Sequence, residues 1–275
     1  MIEIPEAFNL AGQLRETVNG RRIAGVVVGQ TPHGLAWYYG DQTRFHDVLK
    51  GKEIDGAVGH GGLVEISAGD ASILFGDGMN IRYQGNAEER PAKHQLLLEF
   101  EDGTSLSATV QMYGGVGAFL KGSLDNPYYK VAKEKPSPLS KTFDEEHFHS
   151  IASAPGAEKL SLKALLATEQ RIPGLGNGVL QDILFKARMH PKRKVGSLVE
   201  KEVDALFVSV KETLASMANG GGRDTESDLF GRPGRYRTVL CKNTAGKPCP
   251  ICQGPISKES YLGGSVYFCR SCQRL

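Results

Sequence analysis

Four of the five cysteines fall into two pairs with the same internal spacing, Cys249-x2-Cys252 and Cys269-x2-Cys272. Each pair can turn two thiolates toward one ion, and the segment between the pairs suits a β-hairpin carrying Tyr261, Val266, Tyr267 and Phe268. That pattern predicts a four-thiolate zinc site, closed to substrate and therefore structural. Disulfides are the competing reading, but Glu3 and Glu6 occupy the place where a secretory signal would be basic and apolar. Cys241 is left over and is read as a packed thiol. Lys242, Lys247, Lys258, Arg270 and Arg274 surround the pairs, and their expected work is phosphate contact.

A second feature is the run IPGLGNG at 172–178, followed by the apolar stretch Val179, Leu180, Ile183, Leu184 and Phe185. Such a turn can simply reverse the chain. Gly174, Gly176 and Gly178 can also let backbone approach a phosphate, with Asn177 as a donor and the next helix presenting its free N–H groups. Residues 190–194 (HPKRK) add positive charge nearby.

The elements that must position these groups divide the 275-residue chain in two. Residues 5–19 read as a helix, and short apolar runs from Arg21 to about Leu120 read as strands of a β-sandwich or barrel. Turns are expected at 76–78 (GDG) and at Asp102-Gly103. Residues 126–141, rich in lysine and proline, read as a linker. Helices follow, with capping boxes expected at Thr142/Glu145 and Ser197/Glu200 and an N-cap at Ser161. The stripe Val199, Val203, Leu206, Phe207, Val210, Leu214 and Met217 is core, ended by three glycines at 220–222. The fold class is therefore α+β.

The formal charge of +2 conceals an asymmetry: residues 1–154 carry 14 Lys+Arg against 20 Asp+Glu, and residues 155–275 carry 19 against 11. A basic second half implies a polyanionic partner. No stretch has the apolar length of a membrane span, and a cytoplasmic monomer is expected.

Taken in order, these features resemble the formamidopyrimidine-DNA glycosylase/endonuclease VIII family. The resemblance rests on Glu3, Pro5 and Glu6, the β-rich first half, GLGNG at 174–178, DLFGRPG at 228–234, GKPC at 246–249 and the cysteine hairpin, and so spans almost the whole chain. It implies a β-sandwich over 1–130, a helix–two-turn–helix DNA-binding domain over 131–235 and a zinc finger over 236–275. It also implies DNA between the domains, contacted by Gly176, Asn177, Gly178, His60, Arg235 and Lys247. Family members flip a damaged nucleotide and attack its sugar with an N-terminal amine, assisted by the adjacent Glu, which would be Glu3 here.

The chain departs from that pattern where the chemistry would be. Bulky Ile2 keeps Met1 in place, so the amine lies one residue too far out. The family's phosphate-gripping lysine aligns with His60, the arginine of its void-filling segment is missing from residues 112–118 (MYGGVGA), and its finger arginine aligns with Gly264. The expectation is a zinc-containing protein that binds duplex DNA bearing a lesion or abasic site, with weak or lost glycosylase and lyase activity. The alternatives are an active glycosylase/lyase using Met1 and Glu3, or a module turned to RNA or protein.

Overall fold

A computed structural model describes residues 1–275. The chain opens with helix α1 (Ile4–Val18), started by Pro5 in its first turn and ended at Asn19-Gly20, where Gly20 takes a positive φ of 79°. Its Ala7, Leu10, Ala11, Leu14 and Val18 recur at helical spacing and are all buried against the first sheet. Strands β1 (Ile23–Val28) and β2 (Ala36–Tyr39), a one-turn helix α2 (Phe45–Leu49) and strands β3 (Ile54–His60), β4 (Leu63–Ala68), β5 (Ala71–Gln84), β6 (Leu96–Phe100) and β7 (Ser105–Leu120) follow.

These strands join in one ladder of order β1-β6-β7-β5-β4-β3. The long strands β5 and β7 pair along their whole length, with a register shift between Asp77 and Met79. Their Met79–Gln84 and Ser105–Val110 parts continue to β6 and β1, while the Ala71–Asp77 part continues to β4 and β3. The sheet thus bends into two halves around one core shared with α1. The expected turn at 76–78 is this bulge inside β5, because both flanks find partners on β7. Residues 112–118 are likewise strand rather than free loop, and β2 pairs with them in parallel, Trp37 opposite Gly115 and Tyr39 opposite Gly117. The Asp102-Gly103 turn is as expected, with Gly103 at φ 84°.

The expected linker holds helix α3 (Pro127–Glu134), capped by Asn126, whose side chain accepts the Tyr129 N–H. The lysines mask a helix whose Tyr129 packs on Leu74 and Phe119 of the sheet. Helices α4 (Glu145–Ala152), α5 (Leu162–Ala167), α6 (Asn177–Lys186) and α7 (Glu200–Asn219) build a second core. Ser161 caps α5 as expected, but Asp144 rather than Thr142 caps α4. The α7 box sits at Val199, whose N–H donates to the Glu202 carboxylate, two residues beyond the expected Ser197. The chain ends in a hairpin of β8 (Ile256–Tyr261) and β9 (Gly264–Cys269), packed with Phe185 and Leu240 around the cysteines. Ile4 lies in the helical core while the rest of α1 lies in the sheet core, so this helix belongs to both. No helix is long and apolar enough to cross a membrane.

Candidate nucleic-acid interface

Glu3 and the glycine loop, 175 residues apart, meet each other. The Glu3 carboxylate accepts N–H bonds from Gly178 and Val179, each 2.8 Å, at the start of α6. A helix start presents unsatisfied N–H groups and a positive dipole end, and here the protein's own anion satisfies them. The glycines serve that approach: a Cβ on Gly176 would lie 2.6 Å from the Glu3 carboxylate, and one on Gly178 would lie 1.7 Å from the Arg223 guanidinium.

Arg223 is 2% exposed and organises the centre of the molecule. Its Nε and Nη2 donate to the two Glu6 oxygens at 3.0 and 2.8 Å, and its Nη1 lies 3.5 Å from Glu3. Nη2 also donates to the Met1 carbonyl at 3.3 Å, and the Met1 amine is ion-paired with Glu226. Burial pushes the Glu3 carboxyl above its ordinary range; Arg223 and the two amides pull against it, and Glu6 adds to the rise. The sequence reading missed Arg223 and Glu226. Two acidic residues opening a helix that is apolar on its inner face were the available signal, since buried carboxylates require a cation.

Asn177 turns toward the hairpin. Its amide donates to the Ser265 carbonyl at 2.7 Å, beside Gln181, whose oxygen accepts the Tyr267 N–H at 3.0 Å. Lys163, 4% exposed, donates to the Tyr261 carbonyl at 2.6 Å. Gly264 opens β9 within reach of both: a Cβ there would lie 3.5 Å from Lys163 Nζ and 3.6 Å from Asn177 Nδ2. The hairpin is therefore clamped onto α5 and α6 by Asn177, which the sequence reading assigned to phosphate, together with Gln181 and Lys163, which it did not single out. Arg235 and Lys247 are exposed, with no ion-pair partner.

His60 closes β3 half-buried, its Nε2 3.0 Å from Glu65 and its ring edge-on to Tyr129. Its ring is thus engaged by its own sheet and by α3. Burial pushes the Glu65 carboxyl up, but hydrogen bonds from His60, Ser72 and Tyr129 with the charge of Lys133 hold it down at about 2.

The sulfurs of Cys249, Cys252, Cys269 and Cys272 all lie within 4.8 Å of one another, with Cys249–Cys272 at 3.8 Å and Cys252–Cys269 at 3.3 Å. A tetrahedron with Zn–S bonds of about 2.3 Å has edges of about 3.8 Å, whereas a disulfide needs about 2.05 Å. The four cysteines form a metal-binding cluster that fits structural zinc, as the spacing predicts.

Between the two cores lies a cavity of about 620 Å³, bordered by Met1, Glu3, Trp37, Asp77, Tyr128 and Gln170 among others. No lysine or arginine lines it.

Comparison with known proteins agrees with this architecture. Residues 135–227 match the formamidopyrimidine-DNA glycosylase H2TH domain. The chain is 28% identical over 286 aligned residues to the formamidopyrimidine-DNA glycosylase of Listeria innocua serovar 6a, covering 100% of both chains. It superimposes on the MutM (Fpg) protein of Thermus thermophilus with a TM-score of 0.79 at 25% identity, covering 98% of each chain. The Lactococcus lactis Fpg bound to DNA containing an abasic site gives a TM-score of 0.83 at 22% identity, over 99% of this chain and 100% of that one.

Proposed function

We propose that this chain, similar over its whole length to formamidopyrimidine-DNA glycosylases, is a zinc-containing member of the formamidopyrimidine-DNA glycosylase/endonuclease VIII family that recognises damaged or abasic duplex DNA with weak or no glycosylase and lyase activity. One observation carries this reading: both groups that the family chemistry would need are already engaged. The Met1 amine is paired with Glu226, and the Glu3 carboxylate accepts two amide bonds at the start of α6 while facing Arg223. An ammonium held by a carboxylate is not a nucleophile, because attack on C1′ needs the free amine.

DNA binding is supported by the positive second half and by exposed cations such as Arg235 and Lys247. Zinc holds the hairpin that carries Lys258 and Arg270, and it has no open position for a reacting oxygen. The starts of α6 and β9 are drawn together by Asn177, so finger and helical core present one surface.

A second reading, an active lyase using Met1, is favoured by one fact: Met1 borders the interdomain cavity. Borohydride trapping on DNA with an abasic site separates the two. We expect no covalent adduct while a labelled abasic duplex binds with strong salt dependence. An adduct that vanishes when the amine is blocked would establish the lyase. R235A and K247A should each weaken binding to all sequences and reduce the salt slope by about one. Preference for structured RNA over any DNA would move the protein to the third reading.

A further inference from the structure

Two helices of the second core bring three metal-ligating side chains together. Glu145 opens α4, and His149 follows at the i+4 position on the same face. Asp204 lies in the second turn of α7. The His149 Nε2 is 2.8 Å from Asp204 Oδ1 and 4.0 Å from Glu145 Oε1, and all three ligand atoms lie within 4.8 Å of one another. None of the three residues borders the interdomain cavity, and the four cysteines form a separate cluster.

Packing beneath the cluster sets this spacing. Phe148, next to His149 and fully buried, has its ring centroid 5.8 Å from that of Phe207, which stands one turn beyond Asp204 on α7. Phe143 stacks on the same Phe207 at 6.3 Å. Asp144 accepts the His147 N–H at 2.9 Å and starts α4, a helix of eight residues that is too short to be stable alone. His147 itself turns to Phe143, with ring centroids 5.3 Å apart, which leaves His149 as the one imidazole of the cluster.

The charges of the cluster are left uncompensated by the chain. Two carboxylates converge on a single imidazole, and neither is ion-paired with a lysine or arginine. Like charges at this separation repel, and a dication between them reverses the sign of the interaction. The geometry suits one. Bonds of about 2.0–2.2 Å from nitrogen and oxygen place neighbouring ligand atoms about 3.0 Å apart in an octahedral site and about 3.4 Å apart in a tetrahedral one. The observed 2.8 and 4.0 Å bracket both values. The Asp204 and Glu145 side chains, 40% and 63% exposed, are free to turn and close the difference. An imidazole among the ligands favours zinc, nickel or copper over magnesium and calcium, which prefer oxygen alone.

We propose that Glu145, His149 and Asp204 form a second metal site, which takes one divalent first-row transition ion of the zinc type and braces α4 against α7. His149 supplies Nε2 and each carboxylate one oxygen, and water fills the remaining positions. Unlike the closed four-thiolate cluster, this site lies at the surface and its ion exchanges with solvent. The metal thus ties the stability of the helical core to the free concentration of that ion. The inference is independent of what the basic half of the chain binds.

The test starts from the full chain carrying one zinc ion in its cysteine cluster. Equilibrium dialysis against rising free Zn²⁺ should bring it to two ions per chain, while His149→Ala and Asp204→Asn should each stop at one. Neither side chain belongs to the buried core, so both variants keep the fold. Added Zn²⁺ should raise the Tm of the intact protein by several degrees, because an ion held by the folded chain stabilises it by mass action. The same addition should leave the Tm of His149→Ala unchanged, and Mg²⁺ at equal concentration should protect neither protein. A wild-type chain that stops at one ion, variants that still take up two, or protection by Mg²⁺ equal to that by Zn²⁺ overturns the site. A second ion bound with no rise in Tm overturns the brace between α4 and α7.

Discussion

Replacing Arg223 by Met removes the cation between Glu3 and Glu6 while roughly keeping side-chain length. Arg223 is 2% exposed, and the carboxylates it serves are 3% and 6% exposed, so water cannot replace it without opening the interface. Removing one partner of a buried pair typically costs about 3–5 kcal/mol, and here two carboxylates are stranded. The upper part of that range, about 4–5 kcal/mol, is expected. For a chain of this size each kcal/mol moves Tm by roughly 2–4 °C, so calorimetry should show a fall of about 8–20 °C. The loss should depend on pH with a defined sign. The Glu3 carboxyl already lies above its ordinary value, and Arg223 is the main influence pulling it down. Without Arg223 it rises further. A group whose folded pKa exceeds its unfolded one stabilises fully below the unfolded value and loses that contribution as pH rises through the folded value. The Tm deficit of R223M should therefore be largest near pH 8 and shrink toward pH 5. Adding E6Q should restore part of the loss, since a neutral amide strands less charge. A deficit below about 1 kcal/mol, or one equal at pH 5 and pH 8, would refute the argument that buried charge compensation joins the two cores.

Chelation or C252S should release one zinc per chain by elemental analysis and weaken DNA binding at least tenfold, while circular dichroism of the sheet persists; retained affinity without metal would contradict the role given to the hairpin. Glu65 supplies the opposite pH case. Its carboxyl is held at about 2 against an ordinary 4.5, so its contribution is present above about pH 4.5 and lost as pH falls toward 2. E65Q should lower Tm at pH 7 by a few degrees and flatten the acid limb of the Tm–pH curve between those values; parallel wild-type and mutant limbs would count against it.

The parts of this molecule that follow from short-range pattern were readable in the chain. The cysteine pairs needed two spacings, Ser161 needed the leucines after it, and α1 needed its apolar period. What was not readable depends on partners far away. Glu3 looks like a residue waiting for a reaction until Gly178 and Val179 arrive at its oxygens. The bulge at Asp77 looks like a hairpin because GDG favours turns, and pairing with β7 on both flanks overrides that preference. Residues 112–118 look like an impoverished loop, since nothing local says that β2 will lie along them. The two misplaced caps are competitions between adjacent candidates: Asp144 accepts the His147 N–H, and Glu202 takes the Val199 N–H.

The dual membership of α1 sets an order of assembly. Its Ala7–Val18 face can bury as soon as β3 and β4 have been synthesised, and domains generally fold as units in the order they emerge. Its first turn cannot. Glu3 waits for residues 178 and 179, Glu6 for residue 223 and Ile4 for the helical core. Closing that turn is a late, long-range event that happens only when the second core is made. The first few residues of this chain therefore act as a seal of completion, and a fusion placed before Met1 should delay maturation of the whole molecule.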